Sequence, residues 1–296
     1  MRQSRIAADG DAGGMLGQPT RLHATTPLSR ESHAAWERDG FLIVRNVLQP
    51  ESIAGMRAAF ARASDRILDE LHTSGALPIR AGAAPLETAL CAAGSLANRY
   101  GRSWRQLVVG PEVFAIHHDP GLVAILRQLI GGTTLLGSSV FNARPKLPGQ
   151  RLTEVPWHQD LAYFPEGSPA TFVTAWMPAV PVDAANGCMQ VLAGSHRAGL
   201  AAHRQETDEA GFLSLPAPPM GPDLVTCAMQ PGDVLFMHHL VWHASGPNTT
   251  AGIRWSIDCR FSNQADLEIQ FPEPWVVDGP RATDLETWLG WWNRPA

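Results

Sequence analysis

The chain has 296 residues, 45% hydrophobic and 17% charged, with a net charge of −5 and a sequence pI near 6.1. That length can bury a large core without disulfide staples, and the acidic balance argues against the basic stripe of a nucleic-acid binder. No apolar run is long enough to cross a membrane. Cys91, Cys188, Cys227 and Cys259 show no CxxC pair or secreted-type spacing, which points to reduced thiols in a cytoplasmic protein.

Residues 1–26 hold early arginines among Gly, Asp and Ala but no apolar secretory stretch, and they read as a disordered lead-in. One domain is expected over 27–296: a helical buttress (27–132), a β core (134–263) and a Trp-rich tail (264–296). Ser29 is placed to cap a helix running to Asp39, with Gly40 as its stop. Phe41 to Val44 suits a short strand. After Pro50, the residues Ile53, Met56, Phe60, Ile67 and Leu71 recur on one helical face. Residues 73–105 show little periodicity and read as loop. Asp119 before Pro120 marks the start of a helix reaching Leu129.

From Thr134 onward, short strand-like runs separated by turns take over. They are Leu135 to Asn142, Thr171 to Val182, Met189 to Leu192, Asp233 to Met237, Val241 to Ala244 and Ile253 to Phe261. Asn186-Gly187 between two of them is a hairpin signal. Helices followed by strands predict a mainly β sandwich or barrel core buttressed by N-terminal helices.

Two His-x-Asp patterns occur. On a strand, such a pair puts both side chains on one face. With a distant histidine it forms a 2-His-1-carboxylate face, leaving metal positions open for a co-substrate and oxygen. In His117-His118-Asp119 the carboxylate stands at a helix start, where capping explains it. His158-Gln159-Asp160 lies in the β half and is the candidate metal pair, with His243 as the distal ligand. His238 and His239 read as surface or structural residues. In a hairpin centred on Asn248 and Thr249, Arg254 would stand opposite His243, on a polar face shared with Ser256, Asp258 and Arg260. Arginine is the side chain best shaped to clamp a carboxylate in bidentate fashion. An open iron beside Arg254 suits a co-substrate with a carboxylate at one end and a 2-oxo acid at the other.

The segment Trp157-His158-Gln159-Asp160-Leu161-Ala162-Tyr163-Phe164-Pro165 resembles the iron motif of the phytanoyl-CoA dioxygenase family. So do Asn186-Gly187-Cys188 leading to Gly194-Ser195-His196, and Gly232-Asp233-Val234-Leu235-Phe236 running to His243-Ala244-Ser245-Gly246-Pro247-Asn248 and Arg254. Asp39-Gly40-Phe41 resembles the family's opening. The likeness spans about Ser29 to Asn263. It implies a double-stranded β-helix (jelly-roll, cupin-like) core and an oxygenase using Fe(II), 2-oxoglutarate and O2. By position it puts iron on His158, Asp160 and His243, and the 2-oxoglutarate arginine on Arg254. It also implies that Trp176 lies beside the co-substrate, that Ser245 supplies a hydroxyl near the arginine, and that the Asn142 amide donates to the 2-oxoglutarate C1 carboxylate. In Asn142-Ala143-Arg144-Pro145 an arginine replaces the family's common lysine.

Hydroxylation is the expected reaction, with desaturation, epoxidation and ring formation as variants. A halogenase is disfavoured because Asp160 is present. A zinc-dependent cupin-like hydrolase or isomerase would leave Arg254 unexplained, and a non-catalytic binding module would leave the whole triad unexplained. The expected partner is a free, largely apolar small molecule of natural-product biosynthesis. The alternative is an acyl-CoA 2-hydroxylase-type enzyme gripping phosphates with Arg80, Arg99, Arg102 and Arg105. Residues 73–105 and 198–226 and the tail, with Trp275, Trp288, Trp291 and Trp292, are the expected readers of substrate. Oligomeric state is not encoded in these motifs.

Overall fold

The computed structural model describes residues 27–78, 84–101, 103–164, 171–207, 211–218, 221–263 and 274–292. The expected lead-in, 1–26, lies outside the described residues. Helix α1 (Arg30–Asp39) begins where the Ser29 hydroxyl accepts the Ser32 N–H and ends at Gly40, whose φ of 76° is left-handed. Strand β1 (Phe41–Val44) follows, then the long helix α2 (Pro50–Thr73). Met56, Phe60, Ile67 and Leu71 are fully buried along one face of α2, as their spacing predicted.

The stretch expected as loop up to Arg105 contains a 3-10 helix, Gly94–Tyr100. Two short helices, α3 (Arg105–Val108) and α4 (Pro111–His117), precede α5 (Pro120–Ile130). The missed α4 carried a readable signal, Pro111 with Glu112 in its first turn. Asp119 caps α5 as expected: one oxygen accepts from the Gly121 and Leu122 N–H groups, the other from Gln49 N–H and the Ser52 hydroxyl. One carboxylate thus ties together the starts of two helices.

The β core comprises two main antiparallel sheets. Along the chain the strands are β2 (Leu135–Gly137), β3 (Asn142–Lys146), β4 (Val155–His158), β5 (Val173–Pro178), β6 (Met189–Leu192), β7 (Arg204–Gln205), β8 (Leu213–Ser214), β9 (Leu224–Cys227), β10 (Val234–His238), β11 (Trp242–Ser245), β12 (Arg254–Asn263) and β13 (Trp275–Asp278). The larger sheet runs β1-β10-β5-β12-β2-β13, with β3 also paired to β12, and the smaller runs β4-β11-β6-β9. β7 and β8 form a separate two-stranded ribbon. The run expected as one strand from Leu135 to Asn142 is broken into β2 and the start of β3, both on β12.

Two expected hairpins are not hairpins. β5 lies in the larger sheet and β6 in the smaller, so the Asn186-Gly187 turn carries the chain between sheets. Gly187 has φ 74°, and an added Cβ would strike the Gly246 and Pro247 carbonyls. Likewise β11 and β12 belong to opposite sheets, so Arg254 faces His243 across the sandwich and not along a shared ladder.

The alternation in β12 survives this correction and explains the layering. Trp255, Ile257, Cys259 and Phe261 are fully buried, and Trp255 packs on Phe60 of α2 (ring centroids 4.7 Å apart) and on Trp104 (5.5 Å). The helices therefore cover the outer face of the larger sheet, and Arg254, Asp258 and Arg260 line a cavity between the sheets. The tail closes the far end: β13 pairs with β2, and Trp275 of β13 and Trp288 of α6 (Leu285–Trp292) are buried against His117. This is packing on the core. Among the described residues no helix is long and apolar enough to cross a membrane.

Candidate active site

β4 and β11 are neighbours, and their register sets His158 directly opposite His243. β4 ends at His158, and Asp160 opens a 3-10 turn, Asp160–Tyr163, so the expected strand pair is a strand end plus a turn. Gln159 between them is still extended (φ −116°, ψ 135°), which keeps His158 and Asp160 on one side. The Gln159 side chain points the other way, donating to the Gly199 and Leu240 carbonyls and accepting the Ala201 N–H.

The three side chains converge in the interior. Asp160 Oδ1 stands 3.7 Å from His158 Nε2 and 3.8 Å from His243 Nε2, and all three residues are buried. His158 Nδ1 meets the Pro156 carbonyl at 2.8 Å and His243 Nδ1 meets the Val241 carbonyl at 3.0 Å. A carbonyl can only accept, so each Nδ1 carries a proton, and in the neutral ring Nε2 is the atom with a lone pair toward Asp160. Burial, followed by the neighbouring His158, pushes His243 down to about 4 and keeps its imidazole neutral. Burial alone would raise Asp160, but Arg260 and the two imidazoles hold its carboxyl well below the usual range. Two imidazoles and one carboxylate are the donor set of a divalent first-row metal. Their ligand atoms lie within 4.8 Å of one another.

Arg260 and Thr174 were not assigned a role from sequence. Arg260 Nη2 donates to Asp160 Oδ1 at 2.9 Å, and its Nη1 donates to Asp258 Oδ1, also at 2.9 Å. The Thr174 hydroxyl donates to Asp160 Oδ2 at 2.5 Å. Both oxygens of the carboxylate are thus oriented from the larger sheet. Period-two alternation along β12 put Arg260 on the polar face, but its partner Asp160 comes from the turn after a strand of the other sheet, which no local pattern reveals.

Arg254 is 2% exposed. Its guanidinium donates to the hydroxyls of Ser256 (2.5 Å) and Ser245 (3.1 Å), while its Nε has no partner among the described residues. Burial, followed by the charge on Arg144, pushes it down to about 9, still cationic at neutral pH. Trp176 lies beneath it with the ring centroid 5.5 Å from Cζ, and also lines the cavity. A buried cation with an unfilled donor and only hydroxyl partners favours an entering anion. The Asn142 amide donates to Asp258 Oδ1 at 2.8 Å, and Arg144, whose Nη1 has no partner among the described residues, lines the cavity.

His117 stands apart from this site. It is fully buried, with Trp275, Phe141 and Phe261 ring centroids 5.0, 5.7 and 5.8 Å away. His238 and His239 stack on each other at 4.1 Å, and His239 is buried, which makes them structural and not surface groups.

Residues 36–256 match the family described as Phytanoyl-CoA dioxygenase (PhyH). The peroxisomal phytanoyl-CoA dioxygenase of Rattus norvegicus is 27% identical over 241 residues, covering 80% of this chain and 69% of the relative. The 1-deoxypentalenic acid 11-beta-hydroxylase of Streptomyces exfoliatus is 37% identical over 114 residues, 36% of this chain and 40% of that one. Among solved structures, the non-haem alpha-ketoglutarate-dependent carbocyclase SnoK from nogalamycin biosynthesis shares the fold. Its TM-score is 0.52 at 22% identity, over 83% of this chain and 87% of SnoK. The chain therefore belongs to the phytanoyl-CoA dioxygenase family, the non-haem iron- and 2-oxoglutarate-dependent oxygenases.

Proposed function

We propose that this enzyme uses Fe(II), 2-oxoglutarate and O2 to oxidise a small, largely apolar molecule, with hydroxylation as its reaction. The observation that carries the reading is the convergence of two Nε2 atoms and the Asp160 carboxylate in one cavity with the buried Arg254, in a chain of this family. His158, Asp160 and His243 would hold the metal, which when bound supplies oxygen activation coupled to conversion of 2-oxoglutarate to succinate and CO2.

The chain's own residues supply the rest. Carbonyl acceptors fix both imidazoles, and Arg260 and Thr174 fix the carboxylate, so the donor set is organised before the metal arrives. Arg254 and Ser245 would grip the far carboxylate of 2-oxoglutarate, with Trp176 alongside. Burial between two sheets excludes water and strengthens these charge contacts.

Two observations favour a free apolar substrate over a CoA thioester. Arg105 is committed to the Phe141 carbonyl at 2.6 Å, and Arg99 lies over the Tyr100 ring; Arg80 and Arg102 fall outside the described residues. The Streptomyces relative is a hydroxylase of 1-deoxypentalenic acid by name, a small non-thioester substrate.

The test is oxygen-dependent succinate formation by the iron-loaded protein across a panel of polycyclic metabolites and matched free acids and CoA thioesters. Stimulation by the free molecules is expected, and product analysis then separates hydroxylation from desaturation, epoxidation and cyclisation. Turnover confined to thioesters would replace the substrate reading with the acyl-CoA one. Arg254→Ala should raise the 2-oxoglutarate requirement by the equivalent of about 2–5 kcal/mol while leaving iron affinity nearly unchanged. An unchanged requirement would contradict the assignment.

A further inference from the structure

The chain contains 22 arginines and a single lysine, Lys146. It is fully buried on β3, paired with Arg254 of β12. Its Nζ lies 2.6 Å from Ser245 Oγ and 3.1 Å from the Ser245 carbonyl, and it also meets the Gly246 carbonyl. Three oxygens around one nitrogen match the three protons of an ammonium, and two of them are carbonyls that can only accept.

Arg254 Nη2 approaches the same Ser245 hydroxyl at 3.1 Å. A hydroxyl has two lone pairs and one proton. With Lys146 on one lone pair and Arg254 on the other, Ser245 Oγ has only its proton left to give. A protein acceptor for that proton, the Gly187 carbonyl, stands 3.5 Å away, at the limit of hydrogen bonding. Ser245 also lines the cavity that holds Arg254 and the three convergent residues.

We propose that Lys146 is a positioning residue for anion recognition: it fixes Ser245 as a hydroxyl donor beside Arg254, so that the pair receives the carboxylate of an anionic co-substrate. This rests on the 2-oxoglutarate reading above. An arginine cannot substitute, because its five donors spread across a rigid plane while these acceptors surround a single atom. The ladder between β11 and β4 slips between His243 and Ser245, directly before the two carbonyls that meet this nitrogen. Burial, followed by the Arg254 charge, pushes the Lys146 amine down to about 6, and the three oxygens gathered on Nζ oppose that push by favouring the ammonium. An anion arriving beside Arg254 favours the ammonium, and Arg144, Glu154 and Cys188 are the other ionisable groups acting on it.

The test is a double-mutant cycle read as anaerobic 2-oxoglutarate binding to the metal-loaded protein. Lys146→Met should weaken binding about tenfold, Lys146→Arg should not rescue it, and metal affinity should hold in both. In a Ser245→Ala background the Lys146→Met effect should vanish. An unchanged Kd in Lys146→Met, or an undiminished effect in that background, would overturn the proposal. A second readout needs no variant. In protein labelled with 13C-lysine, the one side-chain ε-CH2 signal should move as 2-oxoglutarate is titrated into the Zn(II)-loaded wild type. A stationary signal at saturation overturns the proposal even if the variants fail to fold. If the wild type binds no 2-oxoglutarate at all, the functional reading itself falls.

Discussion

His-x-Asp occurs in two places in this chain, and the same letters build two different things. At His117-His118-Asp119 the carboxylate accepts four hydrogen bonds from helix starts, and His117 is enclosed by aromatic rings. At His158-Gln159-Asp160 the carboxylate faces the Nε2 atoms of two imidazoles and is held by an arginine and a threonine. The difference lies in the partners. Asp119 satisfies backbone donors that would otherwise be unpaired, while Asp160 sits among groups that leave a position for a cation. A tripeptide pattern therefore carries chemistry only through what the rest of the fold brings against it.

The largest contrast should appear when each triad member is removed. Alanine at His158, Asp160 or His243 should abolish bound iron and succinate formation, measured by metal analysis and product assay. His117→Ala retaining less activity per folded molecule than His158→Ala would reverse the choice between the two patterns.

At the other pattern the effect should be on stability. Asp119→Ala leaves donors at two helix starts without their acceptor and should cost about 2–4 kcal/mol of unfolding free energy. Denaturant unfolding checks this, and a midpoint equal to wild type would show that the cap contributes nothing.

A smaller effect is expected at Arg260. Arg260→Gln keeps bulk but removes the charge on Asp160, and metal affinity should fall about tenfold to a hundredfold. Competition with a metal chelator measures it. An affinity equal to wild type would reduce Arg260 to a packing residue.

The smallest effect concerns pH. Burial is the main cause that pushes His117 down to about 4 from an unfolded value of 6.5. Since the folded value is the lower one, the unfolded chain takes up the extra proton. The stability contributed is complete above about 6.5 and is lost as pH falls toward 4, amounting to about 1 kcal/mol between pH 7 and 5.5. His117→Phe should flatten the dependence of Tm on pH across that interval relative to wild type.

Much of this architecture was legible because it rests on local periodicity. The buried face of α2, the Ser29 and Asp119 caps and the polar face of β12 all follow from spacing and residue type. The convergence of His158, Asp160 and His243 was reached through motif context, and the structure brings the three together. What was not legible depends on which sheet a strand joins. Arg254 was placed near His243 by a hairpin that does not exist; it arrives from the opposite sheet, because a polar face pointing inward reaches the same cavity by either route. Arg260, Thr174 and Lys146 were missed as partners for the same reason. Each touches a residue at least 14 positions away in the chain, across the sandwich or at a strand slip, where sequence spacing says nothing about distance.

The most direct measurement of the central claim applies one substitution to both patterns. Asp160→Asn and Asp119→Asn each remove a carboxylate charge with little change in shape, and the amide that replaces the Asp119 carboxylate retains an oxygen for the cap. Fe(II) bound per chain should stay at one in the wild type and in Asp119→Asn, and fall to nothing in Asp160→Asn. Full iron loading in Asp160→Asn, or its loss in Asp119→Asn with the fold intact, would contradict the assignment of the metal site.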